Sequence, residues 1–230
     1  MKTREELIER VAEYKGTDNW KIQPSELSYE LWMQLFIDKA NREKPYTVED
    51  NNRHVIDALV KYFRRDDEFL KIHESFSFDK GILLRGPVGS GKTRMFKIWR
   101  DVLQAWPFGQ KIQIVSTSTI VSQYNVDGDL IFTGNNAARK TASSNSTYGN
   151  WYLESDTVID DIGAEPIGGK YQRCDVMETM FLRRYDYDLL THGTTNLDGD
   201  QLLERYGLRV YDRLREMFNT ISLTGESRRK

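Results

Sequence analysis

Cys174 is the only cysteine in the 230-residue chain, so no internal disulfide holds the fold together and a reducing, cytoplasmic setting suits it. Histidine is nearly as scarce. His54, His73 and His192 lack metal-ligand spacing and read as ordinary surface or core residues. No apolar run approaches the roughly 20 residues that a membrane helix needs, and the opening "MKTREELIER" is too charged for a signal peptide. Neither sign of charge dominates. With 33 basic against 35 acidic side chains the formal net charge is −2, which argues against a protein that coats nucleic acid while leaving room for a local basic surface. What is present, 39% hydrophobic and 30% charged residues, suits one soluble domain with a smaller appendage.

The appendage comes first, because residues 1–75 read as helices with no strand alternation. Thr3 and Glu6 have the spacing of a capping box ahead of Leu7, Ile8, Val11 and Tyr14. Leu27, Leu31 and Leu35 form one stripe, and Pro45 ends that run. A third helix is predicted after Thr47, burying Val55, Ile56, Leu59, Val60 and Phe63, and the charge run from Arg64 to Glu68 reads as its solvated end.

Residues 76–230 change pattern. "KGILLRG", "KIQIVS", "DTVIDD", "DLLTHGTTN" and "NTISLTG" are short apolar strands, and helical stretches are predicted at Thr93–Trp106, Ser118–Asp127, Cys174–Tyr187 and Asp200–Tyr206. Strands alternating with helices specify an α/β fold, a parallel sheet sandwiched by helices. The polar, aperiodic stretch between Phe132 and Trp151 reads as a surface loop.

"GPVGSGKT" carries the chemistry. Gly86, Pro87, Val88, Gly89, Ser90, Gly91, Lys92 and Thr93 fit G-x-x-x-x-G-K-[ST] at every fixed position, after a strand and before a helix. In that setting inward-turned N–H groups and the helix N-terminus cradle phosphates, Lys92 reaches the β- and γ-phosphates of ATP, and the Thr93 hydroxyl ligates Mg²⁺. A second, acidic strand should accompany such a loop, and "TVIDDIG" is the best candidate. Strand alternation sends Asp160 and Asp161 to opposite faces, so Asp160 would complete the Mg²⁺ shell and Asp161 would act as general base on the attacking water. In "HGTTN", Asn196 either orients that water or caps the helix starting near Asp198.

Together these residues resemble the AAA+ ATPases, and within them the DnaC/IstB family of helicase loaders and transposition helper ATPases. The resemblance covers about Phe78 to Arg229 and rests on "GPVGSGKT", "VIDDIGAEP", "TTNL", "YGLRVYDRLREMF" and "LTGESRR". It implies an AAA+ P-loop domain with little or no C-terminal lid, ATP and Mg²⁺ as cofactors, and self-association into an oligomer that completes its sites across subunit boundaries. The implied partners are a replicative helicase, gripped by the N-terminal region, and single-stranded DNA; no membrane is implied. Arg213 occupies the place of the family's arginine finger, a group that contributes about 10³–10⁵ in rate where it acts. Asp212 precedes it where the family has serine, so pairing of that acid with Arg213 or Arg209 leaves the finger between those two arginines. A salt-bridged helix face of Arg209, Arg213 and Arg215 is the plainer reading. Arg228 takes the place of a sensor that contacts phosphate. Arg139, Lys140, Tyr148 and Trp151 would offer charge and stacking to single-stranded DNA, or serve as ordinary core and surface residues. A transposase in place of the helicase, or a nucleotide-gated adaptor without turnover, are the alternatives.

Overall fold

The computed structural model describes residues 24–42, 44–105, 111–132, 156–166 and 175–224. The Thr3–Glu6 cap and the helix expected after it, the polar loop with Arg139, Lys140 and Tyr148, and Trp151, Cys174 and Arg228 lie outside them. Among the described residues, five strands are β1 Gly81–Arg85, β2 Gln113–Ser116, β3 Thr157–Ile162, β4 Thr191–Thr195 and β5 Phe218–Ser222. Six helices are α1 Tyr29–Ala40, α2 Asp50–Arg64, α3 Lys92–Gln104, α4 Thr117–Asp127, α5 Val176–Asp186 and α6 Gly199–Met217.

The sheet order is β2-β3-β4-β1-β5 and every pairing is parallel. Alternation within β1 explains the two-sided burial: Ile82 and Leu84 join one apolar cluster, and Leu83 the other. The first cluster holds α1, α2 and α3, and the second holds α4, α5 and α6. The helices that follow β1 and β4 thus lie on opposite faces of two adjacent strands, which opens a crevice at their C-terminal ends.

Local sequence accounts for the helix ends. Ser28 accepts the Leu31 N–H at 3.1 Å to start α1, and Glu49 with Asn52 forms a capping box on α2. The five apolar residues expected on the buried face of α2 are all buried. On α1 the buried stripe is rotated by one residue from the leucine stripe. Trp32 and Phe36 are wholly buried while Leu35 is only partly so, because the two aromatic rings reach Trp99 of α3, with centroids 5.8 and 5.2 Å away. The charge run at the end of α2 is exposed at Arg65, Asp67 and Glu68, as expected, while Arg64 and Asp66 are half-buried. Arg64 donates from Nε to the Leu27 carbonyl at 2.8 Å and pairs with Asp66.

Candidate nucleotide site

The chain leaves β1 at Arg85 and turns through six residues into α3 at Lys92. Gly89 (φ 84°) and Gly91 (φ 100°) take the left-handed conformation that the reversal requires. Gly91 is also the helix N-cap and has no side chain to spend on it, so the first N–H groups of α3 are not taken by a capping oxygen. The start of the turn is hung between the two neighbouring chain segments. Gly86 N–H donates to Thr195 O at 3.1 Å, and Leu223 N–H donates to Arg85 O at 2.7 Å.

Lys92 is buried beneath this turn. Its ammonium donates to the carbonyls of Gly86 (2.7 Å) and Pro87 (2.9 Å) and to Oδ1 of Asn196 (2.7 Å). The Asn196 side chain is therefore joined to the loop lysine. The cap of α6 belongs to Asp198, which accepts the Gln201 N–H at 2.9 Å within a capping box.

Asp160 stands at the meeting point of β3, β4 and α3. The Thr93 hydroxyl donates to its two oxygens at 2.8 and 3.1 Å, and the Thr194 hydroxyl donates at 2.6 Å. The next residue breaks the strand. Ile159 pairs with Gly193 and Ile162 with Thr195, so two residues of β3 oppose one of β4 in a bulge, and Asp161 has φ 59°. Simple alternation does not hold at this point. The half-buried Asp160 and the exposed Asp161 differ because a bulge separates them. The Asp161 backbone is gripped on both sides, its N–H donating to Thr194 Oγ1 at 2.9 Å and its carbonyl accepting the Thr117 hydroxyl at 3.0 Å.

These residues suit a magnesium nucleotide. Among the described residues no group of three or more His, Cys, Asp or Glu forms a protein-only cage. One hydroxyl and one carboxylate are what Mg²⁺ takes when phosphate and water complete its shell. The Ser90 hydroxyl oxygen, buried in the loop, has no hydrogen-bond partner among the described residues, and a phosphate oxygen would supply one.

Arg213 lies apart from this cluster on α6, beyond a break at Gly207 (φ 73°, ψ 167°). Its guanidinium sits 4.3 Å from the centroid of the Tyr185 ring and donates to the Tyr185 hydroxyl at 3.1 Å and to Glu216 at 3.2 Å. The acid paired with Arg213 is Glu216, one turn on, and not Asp212. The Tyr185 hydroxyl, with Arg213 adding to it, holds the Glu216 carboxyl below its ordinary range. Arg213 lines a cleft of about 780 Å³ with Lys80, Arg85, Arg209 and Arg215.

Two participants were not legible as such. Thr194 supplies Asp160 with a second hydroxyl, and its position two residues before Asn196 on the neighbouring strand was the available signal. Glu165, buried after the acidic strand, stands in the "VIDDIGAEP" string that carries the resemblance, but nothing in that string told its role.

No protein-family model matches the sequence, and no curated protein matches it. Solved structures do. The crystal structure of the DnaC helicase loader superposes with a TM-score of 0.52 at 18% identity, over 82% of this chain and 98% of that one. The crystal structure of DnaI gives 0.52 at 19% identity, over 85% and 93%. With its parallel sheet, phosphate loop and acidic strand, the chain therefore has the AAA+ P-loop fold of the DnaC-like proteins.

Proposed function

We propose that this protein is an ATP-hydrolysing loader of a replicative helicase, assembling with ATP and contacting single-stranded DNA. The observation that carries the reading is the convergence of Lys92, Thr93, Asp160, Thr194 and Asn196 from one helix and the ends of two strands onto the end of β1. Lys92 binds the β- and γ-phosphates, and the hydroxyl of Thr93 and the carboxylate of Asp160 hold Mg²⁺. Held by those two residues, Mg²⁺ would supply charge neutralisation to the phosphates. Asp161 accepts the proton of the attacking water, and Asn196 orients that water through its amide. Arg213 serves the site of a neighbouring subunit, preorganised by Tyr185 and Glu216. The loader assignment is supported by the likeness to DnaC and DnaI in fold and by the motifs that the sequence shares with that family.

Turnover per subunit, measured against protein concentration with and without single-stranded DNA, tests this reading. The rate should climb with both. Lys92→Ala should abolish nucleotide binding, and Asp161→Asn should bind normally and lose hydrolysis. Arg213→Ala should bind ATP yet turn over only when mixed with Lys92→Ala chains. Normal hydrolysis by Asp161→Asn refutes the assigned base. Failure of the mixture moves the finger to Arg209 or to a partner protein.

A further inference from the structure

Glu165 follows the Asp161 turn and is buried, its side chain only 1% exposed. One carboxylate oxygen accepts the Gly163 N–H at 2.9 Å. The other accepts the Tyr206 hydroxyl at 2.6 Å and the Arg205 guanidinium at 3.0 Å. Arg205 also pairs with Asp175, the N-cap of α5. One side chain thus ties the end of β3 to the first segment of α6, and Arg205 extends that link to α5.

A buried carboxylate is an expensive way to join two elements, and apolar residues of similar volume often stabilise as well or better. What the carboxylate provides that they cannot is a fixed hydrogen-bonded geometry. Fixed geometry is needed here, because the left-handed Asp161 is strained and persists only where its surroundings over-determine it. The turn is tightened by the Ala164 N–H bonding to Asp161 O at 3.1 Å. A Cβ on Gly163 would stand 2.3 Å from Leu197, the residue after Asn196, so the turn is also packed against the asparagine's strand end. Tyr206 is the last residue before the α6 break, beyond which Arg209 and Arg213 lie.

We infer that Glu165 is a positioning residue for hydrolysis: its carboxylate clamps the 161–165 turn to Tyr206 and Arg205, holding Asp161 in its left-handed conformation. The inference rests on the ATPase reading above. Its logic is that an amide at this position offers an N–H₂ to groups that are themselves donors, so one arm of the clamp must open.

Steady-state hydrolysis, binding of a fluorescent ATP analogue, and amide hydrogen exchange on the full chain test it. In Glu165→Gln, kcat should fall about 10- to 100-fold, the range in which a small misplacement of a reacting group acts, while KM and nucleotide affinity stay within about twofold. The Gly163 and Ala164 amides should lose exchange protection and those of α3 should keep theirs. Tyr206→Phe, which removes one donor, should show a smaller loss of the same kind. Adding Glu165→Gln to Asp161→Asn should lower the residual rate no further, since the clamp acts through Asp161. An unchanged kcat with only a lowered melting temperature, or a full additional loss on top of Asp161→Asn, overturns the positioning role. A wild-type chain without turnover refutes the ATPase reading, whereas unchanged protection at Gly163 in Glu165→Gln refutes the clamp itself.

Discussion

His192 holds a strand position where an aliphatic residue would be expected, and its ring works as a structural brick. It lies among Tyr62, Phe63 and Phe96, each with a centroid 5.8 Å away, and its Nδ1 accepts the Ile82 N–H at 3.0 Å across the sheet. Burial, with the Arg184 charge adding to it, pushes the imidazole down to about 3. Its ordinary value is about 6.5, so between those limits the unfolded chain binds the proton and the folded chain does not. Stability from this group is complete above the ordinary value and drains as pH falls below it, at roughly 1.4 kcal/mol per pH unit. The melting temperature should accordingly drop between pH 7 and pH 5. His192→Leu should be less stable at pH 7, having orphaned the Ile82 N–H, yet show a flatter decline over the same interval. An equal slope in both proteins would assign the acid sensitivity elsewhere. Composition gave only the reading of an ordinary surface or core residue, since nothing local separates a buried histidine from an exposed one. Lys92 and Thr93 were legible because the spacing of the loop is itself the chemical requirement, and Asp160 because its carboxylate ends an apolar strand.

At the scale of elements, the sequence predicted strands and helices well where periodicity was long and failed where one residue was inserted. The bulge at Asp161 leaves no compositional mark, and the clamp between Glu165 and Tyr206 spans 41 residues that no pattern links. The helix expected at Asp200–Tyr206 does form, and a second segment continues to Met217 after the break. That break has a clear cause. Gly207 takes φ 73°, a conformation that other residues adopt at a cost, although a Cβ there would meet nothing within 4 Å. Gly207→Ala should therefore lower stability by about 1–2 kcal/mol through backbone strain alone. Nucleotide affinity should be unchanged, because the phosphate loop and Asp160 stand on other elements. A chemical denaturation curve beside an ATP titration checks both halves of the expectation, and full stability in the variant would mean that α6 can run straight.

The whole molecule is less divided than its composition. Residues up to 75 differ in pattern from the rest of the chain, yet α1 and α2 share one apolar cluster with β1 and α3. Trp99 sits at its centre, with the rings of Phe63 and Phe36 at 4.9 and 5.2 Å. Trp99→Ala should cost about 3–5 kcal/mol and should loosen α1 and α2 together with the sheet in a single thermal transition. Two separate transitions would show that the helices melt independently. Strand order has a further consequence for the making of the protein. β1 is flanked by β4 and β5, and the phosphate turn hangs from Thr195 on one side and Leu223 on the other. A chain growing from the ribosome has the whole of "GPVGSGKT" in hand by residue 93, but neither support for it until more than a hundred residues later. Capture of nucleotide is thus a late event of synthesis, withheld until Leu223 has emerged.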